Sequence, residues 1–145
     1  MLRSMCILCL LCSSQLELGV NVTGTHLHKI DQTPVGVGGR LFLNFTRNIA
    51  FDGEITRYPG KTSALGGIKS GLRRDRFGVF GKARAGMWWF TSNYVATDIG
   101  GVVEYYPSSH TTIRIDAGDT ILFYGGTALG TVHNFQPGIG FSYRF

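Results

Sequence analysis

The sequence predicts an all-β fold, a closed antiparallel up-and-down barrel of about eight strands. Glycine is unusually frequent, with 21 copies in 145 residues, and glycine weakens helix interiors while suiting tight turns. From Gln15 onward, apolar and polar residues alternate with the period of two that is typical of a strand. Segments of this kind recur about eight times between short polar turns, and no helical period follows residue 14.

The length suits a single domain, which we assign to residues 15–145. Residues 1–14, MLRSMCILCLLCSS, have a basic Arg3 followed by an apolar run over residues 5–12. This run is too short to cross a bilayer as a helix, so we predict a short signal peptide that is cleaved after Ser14. Cleavage there would remove all the cysteines, which suits an oxidising compartment.

The first three predicted strands are LELGVNVT, GGRLFLNF and IAFDGEIT. The apolar face of the first carries Leu16, Leu18, Val20 and Val22. In the second strand Leu41 and Leu43 oppose Arg40 and Phe42. A polar turn over residues 46–48 joins the second strand to the third and predicts a hairpin.

The remaining strands follow the same alternation. The fourth covers about residues 65–74, and the fifth is FGVFGKARAGMWWF. The last three are DIGGVVEYY, TTIRIDAGDT and a terminal segment ending in GIGFSYRF. Turns near Arg47, Asp75 and Ser108 are predicted to be tight. Longer connections are predicted for residues 25–34, 58–65, 92–95 and 125–132. This difference between the two ends is typical of a transmembrane barrel.

Alternation alone leaves open which face lies inside the barrel. The polar faces carry charges of both signs that pair across the predicted hairpins, Arg40 opposite Glu54 and Glu104 opposite Arg114. We therefore predict a charged lumen and an apolar wall that faces lipid. The predicted lumen network consists of Glu17, Arg40, Glu54, Lys82, Arg84, Asp98, Glu104, Arg114, Asp116 and Arg144. Lys69 and Lys82 would also oppose one another, which requires an acid such as Glu54 or Asp98 between them.

Aromatic residues gather at the strand ends, as expected for two belts at the membrane interfaces. The belt beside the tight turns would contain Phe45, Phe51, Phe77, Tyr105, Tyr143 and Phe145. The other belt would contain Tyr58, Trp88, Trp89, Phe90, Tyr94, Phe123 and Tyr124.

With these features the sequence resembles the small outer-membrane β-barrels of the OmpA/OmpX type. The segments that carry the resemblance are GVGGRLFLNFTRNIAFDGEI, FGVFGKARAG, DIGGVVEYYPS and the terminal GIGFSYRF. It implies a location in the bacterial outer membrane, with the bilayer as the main partner. In that family the terminal strand is recognised by the outer-membrane assembly machinery, which implies this role for Phe141, Tyr143 and Phe145. Pro137 departs from the pattern because it removes one ladder donor.

Other chemistry is weakly represented. The net charge is +5, but the basic residues are dispersed, which argues against nucleic-acid binding. His26 and His28 share a strand face without a third ligand, so we predict no metal site. No G-x-S-x-G motif is present, and Asp52 and Glu54 are better explained as neutralising lumen cations than as an acid/base pair. We expect neither an enzyme, nor a cofactor, nor a small-molecule ligand.

The resulting functional hypothesis is an integral outer-membrane barrel that stabilises the envelope or presents its longer loops. A lumen of about eight strands is filled by side chains, which leaves at most a narrow passive pore as the first alternative. The second alternative is a soluble, lipocalin-like barrel with an apolar ligand cavity.

Overall fold

The computed structural model describes residues 15–26, 34–89, 92–123 and 131–145, with backbone alone for 131 and 132. They form one closed barrel in which each strand pairs antiparallel with the next and the last pairs with the first. The strands are β1 (Gln15–Gly24), β2 (Val35–Asn44), β3 (Ile49–Tyr58), β4 (Lys61–Arg74), β5 (Phe77–Trp89), β6 (Asn93–Tyr105), β7 (Thr111–Phe123) and β8 (Thr131–Arg144). The predicted fold class is confirmed. The predicted signal peptide, residues 1–14, lies outside the described residues.

Two of the predicted long connections are wrong. Residues 58–65 contain only a two-residue turn, Pro59–Gly60, because β4 already begins at Lys61. Gly60 has a φ of 70°, a left-handed conformation that glycine adopts without strain, and proline before it favours a tight turn. Similarly, β6 begins at Asn93. The polar residues Lys61, Thr62 and Asn93 belong to the strands because their backbones pair with the neighbouring strand at the rim of the barrel.

The geometry of the barrel follows from its register. Successive strand partners lead from Leu16 around the whole sheet to His26, a shift of ten residues. With eight strands, this shift requires a strand tilt of about 40° and a backbone radius of about 8 Å. The same shift corresponds to a height of about 25 Å along the barrel axis.

The two faces of the sheet differ sharply in chemistry. Side chains directed inward are mostly polar or charged, as for Arg40, which is 3% exposed, and Arg114, which is 1% exposed. Their immediate neighbours Leu41 and Ile113 are exposed on the outer wall. Among the described residues no helix is long and apolar enough to cross a membrane.

Aromatic side chains mark both edges of the outer wall. One girdle lies at the level of Leu16 and consists of Phe45, Phe77, Tyr105, Tyr143 and Phe145. Within it, the ring centroids of Phe77 and Tyr105 are 5.2 Å apart. Trp89 and Phe123 lie near the level of His26, about 25 Å higher by the register. We call the first edge the short-turn end and the other the long-loop end.

The prediction of a second belt is wrong for Tyr94, which packs against apolar residues of the lumen, and for Tyr58 and Trp88. The side chains of Tyr58 and Trp88 are buried in the lumen, at 2% and 0% exposure. Their positions in the alternation match those of Glu54 and Arg84, so the period of two places them inside. Phe90 and Tyr124 lie outside the described residues.

Candidate functional site

The lumen is filled by two groups of charged residues and one apolar group, stacked along the axis. The central cluster consists of Arg40, Asp52, Glu54, Lys82, Arg84, Asp98 and Asp116. The mouth cluster, nearer the short-turn end, consists of Glu17, Lys69, Arg73, Glu104, Arg114 and Arg144. The apolar plug, at the long-loop end, consists of Tyr58, Leu65, Trp88, Ala96 and Leu122. All ten predicted network residues are in the two charged clusters.

Arg40 organises the central cluster. Its Nη2 lies 2.9 Å from Oδ2 of Asp52 and its Nε lies 3.1 Å from Oε2 of Glu54. Arg40 also contacts Asp116 on β7, across the lumen from β2. Since Arg40 and Glu54 are direct cross-strand partners, part of this network follows from the hairpin register. The contact with Asp116 depends on closure of the barrel.

Arg84 and Lys82 complete the central cluster. Arg84 Nη1 lies 2.8 Å from Oε2 of Glu54, and the same guanidinium pairs with Asp98. Lys82 Nζ is 3.1 Å from a carboxylate oxygen of Asp98 and 3.1 Å from one of Asp116. Every carboxylate of the cluster therefore has a cation within ion-pair distance, which offsets the large cost of burying charge.

The mouth cluster is centred on Glu104. Arg114 Nη2 lies 3.0 Å from Oε1 of Glu104, and Lys69 contacts the same oxygen. Tyr106 donates a hydrogen bond to the other carboxylate oxygen. Burial, together with this carboxylate, raises the pKa of Tyr106 well above its ordinary value, so that the phenol stays a donor.

Lys69 and Lys82 are direct cross-strand partners, as the sequence predicts. Their charges are separated because each amine binds different acids. Lys69 contacts Glu104 in the mouth cluster, whereas Lys82 binds Asp98 and Asp116 in the central cluster. Asp98 thus relieves one lysine as expected, and Glu104, rather than Glu54, relieves the other.

Sequence reasoning missed an aromatic at the junction of the clusters. Phe42 is fully buried, with Arg114 Cζ 3.9 Å and Lys69 Nζ 4.6 Å from its ring centroid. The face of an aromatic ring attracts cations, so Phe42 supplements the carboxylates. The sequence does indicate this position, because Phe42 lies between Arg40 and Asn44 on the polar face of the strand.

The apolar plug closes the lumen at the long-loop end. The rings of Tyr58 and Trp88 stack with centroids 5.0 Å apart and an interplanar angle of 21°. The Tyr58 hydroxyl lies 3.0 Å from Thr25 Oγ1 and accepts a hydrogen bond from Gln136 at 3.2 Å. These contacts join four strands or their ends across the barrel, so the plug blocks a straight aqueous path.

The predicted assembly residues are on the outer wall, Phe141 and Tyr143 on β8 and Phe145 directly after it. Phe141, Tyr143 and Phe145 are exposed, and the backbone N–H of Phe145 donates to Leu16 at 2.9 Å. Their recognition by an assembly machinery stays a prediction.

The junction of β1 and β8 contains a break in pairing. The ladder stops at Thr23 and Gly138, and one further bridge joins His26 to Phe135 in the same register. His26 donates its N–H to the carbonyl of Phe135, and alternate residues of a strand direct their backbone groups to the same neighbour. The missing N–H of Pro137 therefore faces β1, opposite Gly24, and interrupts the junction there.

The histidines do not form a metal site in the described part of the chain, where no group of three His, Cys, Asp or Glu side chains is suitably placed. His133 pairs with Asp119 at 2.5 Å on the outer wall, with both side chains exposed. His28 lies outside the described residues.

Solved structures with a similar fold exist, although the sequence itself has no match. No family model and no curated protein matches the sequence. The β-barrel domain of Pseudomonas aeruginosa OprF has a TM-score of 0.60 at 13% identity, covering 92% of this chain and 100% of that one. Neisserial surface protein A has a TM-score of 0.58 at 9% identity, covering 91% and 97%.

Two further structures are similar over most of their length. Ail of Yersinia pestis has a TM-score of 0.54 at 15% identity, covering 91% of this chain and 97% of that one. A de novo designed transmembrane β-barrel has a TM-score of 0.57 at 14% identity, covering 89% and 95%. At these identities the similarity concerns the fold. The chain therefore has the eight-stranded β-barrel fold of outer-membrane barrels such as NspA and the N-terminal domain of OprF.

Proposed function

We propose that this chain is an integral outer-membrane barrel with a sealed lumen, whose role is to stabilise the envelope and to present its two long connections. The observation that carries the proposal is the inverted distribution of side chains. Ionised groups fill the interior, and large apolar side chains cover the exterior.

The outer wall is suited to lipid. Val20, Ile55, Ile68 and Ile115 are each about 60% exposed, and each belongs to a continuous apolar surface between the two girdles. A soluble monomer rarely exposes an apolar area of this extent. The separation of the girdles, about 25 Å, agrees with the apolar band of outer-membrane barrels.

Closure of the sheet supports the same conclusion. In hydrocarbon every backbone N–H and C=O requires a partner, so a sheet persists there only without open edges. The pairing of β8 with β1 supplies that closure. The ends of β1 and β2, and those of β7 and β8, that the two long connections join are at the long-loop end, and by analogy with other barrels this end would face the cell exterior.

The structure disfavours both alternatives. A passive pore needs a continuous water path, but the fully buried Trp88 and the central cluster occupy the lumen. A lipocalin-like protein needs an apolar internal cavity. An apolar groove of about 680 Å³ is instead on the outer wall beside Leu18, Gly39 and Phe51.

The deciding experiment is fractionation followed by gel electrophoresis with and without heating. We expect the protein in the outer-membrane fraction, extractable only with detergent, and with faster mobility before boiling than after. Recovery in the aqueous fraction without detergent would contradict the proposal. Purified protein in planar bilayers should give at most small, infrequent currents, whereas large steady currents would favour the pore.

A further inference from the structure

Basic side chains outnumber acidic ones at the short-turn end of the barrel. The lumen is almost neutral, with seven basic and six acidic side chains in the two charged clusters. At the short-turn end, Arg47, Arg74 and Arg76 are exposed, with Asp75 as the one acidic side chain exposed beside them in the described residues. None of these arginines forms an ion pair within the described part of the chain.

A cavity of about 280 Å³ opens at this end. Its lining includes Arg73, Arg76 and Arg144 as cations and Asp75 as the opposing anion. The excess of positive charge in a concave site is a feature of anion binding.

Contacts with Tyr106 and two glutamates hold Arg73 and Arg144 in place. Arg73 Nε donates to the Tyr106 hydroxyl at 2.8 Å, and the guanidinium of Arg144 lies 5.6 Å from the Tyr106 ring centroid. Glu104 and Glu17 contact them at 3.7 and 3.2 Å, respectively. Pre-positioned donors lose less conformational entropy when a ligand binds.

The two turns around the cavity are also fixed to each other. Tyr106 donates its N–H to the carbonyl of Arg76 at 2.8 Å, which joins the β4–β5 turn to the β6–β7 connection. Ser108 Oγ accepts the N–H groups of His110 and Thr111 and so keeps that connection folded. These hydrogen bonds hold the walls of the cavity in fixed positions.

One donor in the lining has no acceptor. The Nε of Arg144 is buried and makes no hydrogen bond within the described residues. A buried, unsatisfied donor is uncommon. A small movement of the Arg144 side chain would let an oxyanion in the cavity accept a hydrogen bond from this group.

We propose that this cavity binds a phosphate group, held by Arg73, Arg76 and Arg144. Guanidinium groups match phosphate oxygens in charge and geometry. Two lining residues, Arg76 and Tyr106, are the immediate chain neighbours of Phe77 and Tyr105 in the girdle. The girdle is the level at which lipid headgroups meet the apolar band. Its phosphate can therefore come from an anionic phospholipid or from a free phosphate.

The first test titrates inorganic phosphate into protein folded in octyl glucoside, which contains no phosphate, and follows ³¹P line broadening. Arg76→Gln should weaken binding about tenfold, since it removes a charge-assisted donor. Arg74→Gln is the matched control, because it removes the same charge from the end of β4, two residues away and outside the cavity lining. Its effect should be below about twofold.

A third variant strengthens binding and guards against misfolded mutants. Asp75 has a φ of 50°, a conformation that asparagine tolerates, so Asp75→Asn removes the opposing charge without strain. We expect about twofold to threefold tighter binding. Equal losses in Arg74→Gln and Arg76→Gln would reduce the effect to general surface charge and overturn the proposal.

The second test identifies the source of the phosphate. Native mass spectrometry of the protein released from micelles containing phosphatidylglycerol or phosphatidylethanolamine counts the lipids retained. Selective retention of phosphatidylglycerol that is lost in Arg76→Gln assigns a lipid headgroup, and ³¹P broadening alone assigns free phosphate. Wild-type protein that binds neither would refute the site. The phosphate titration does not depend on cellular location, so its failure leaves the outer-membrane proposal standing.

Discussion

Removal of the Arg40 side chain should destabilise the barrel strongly, and the contacts of Arg40 predict which second substitution repairs the damage. In Arg40→Ala, Glu54 keeps Arg84 at 2.8 Å and Asp116 keeps Lys82 at 3.1 Å. Asp52 is left with Arg84 alone, at 3.7 Å. Asp52 is therefore the carboxylate that suffers most.

The magnitude follows from these contacts. Removing one partner from a buried ion pair typically costs about 3–5 kcal/mol. Neutralising the stranded carboxylate should restore about 1–3 kcal/mol, the penalty of an unpaired buried group. We expect Asp52→Asn to recover more of the Arg40→Ala loss than Glu54→Gln does, because Glu54 retains a short contact.

Urea unfolding in lipid vesicles, followed by tryptophan fluorescence, measures these free energies of unfolding. Arg57→Ala is the control, since Arg57 is exposed on the outer wall, and its change should stay within about 0.5 kcal/mol. The reasoning fails if Arg40→Ala and Asp52→Asn are additive to within about 0.5 kcal/mol. A larger recovery with Glu54→Gln than with Asp52→Asn would refute the ranking.

Three further substitutions test other parts of the structure. Trp88→Ala should cost about 3–5 kcal/mol because it leaves a cavity in the plug, and a change in the urea midpoint worth less than 1 kcal/mol would contradict that packing role. Ile115→Arg, in the middle of the outer wall, should cost about 2–4 kcal/mol in vesicles, whereas Phe123→Arg at the rim should cost about 0–1 kcal/mol; equal costs would argue against a membrane-facing wall. Pro137→Val restores a donor towards β1 and should add about 0.5–1.5 kcal/mol, with slow hydrogen exchange at the new amide; rapid exchange there would show that the junction stays open.

The sequence predicts the wall of this barrel better than its contents. The period of two places each residue on one of two faces, and the short hairpins fix the register, so the opposition of Arg40 and Glu54 follows directly. The preference of aromatics for strand ends predicts an interfacial position for Tyr58 and Trp88, but their position in the alternation places them in the lumen. The polar residues after Gly60 predict a loop, although they continue a strand beyond the apolar band.

Contacts across the lumen lie beyond such reasoning. Arg40 and Asp116 belong to β2 and β7, and no hairpin relates them. Asp52 and Lys69 face the lumen according to the pattern, which predicts that each has a partner of opposite charge. It does not predict which partners these are, namely Arg40 and Glu104. The hairpin register predicts which residues are opposite each other on adjacent strands. Which side chains meet across the lumen also depends on their length and on the shift of ten residues around the closed barrel.

Because some ion pairs cross the lumen, the lumen charges can be fully paired only when the barrel closes. Arg40 meets Asp116, and Arg114 meets Glu17, only when the ends of the sheet come together. Until then, an open sheet keeps one face of hydrated charges, which are costly to bring into hydrocarbon. A chain whose sheet is not yet closed would therefore remain at the membrane surface. It would enter the bilayer only as β8 pairs with β1.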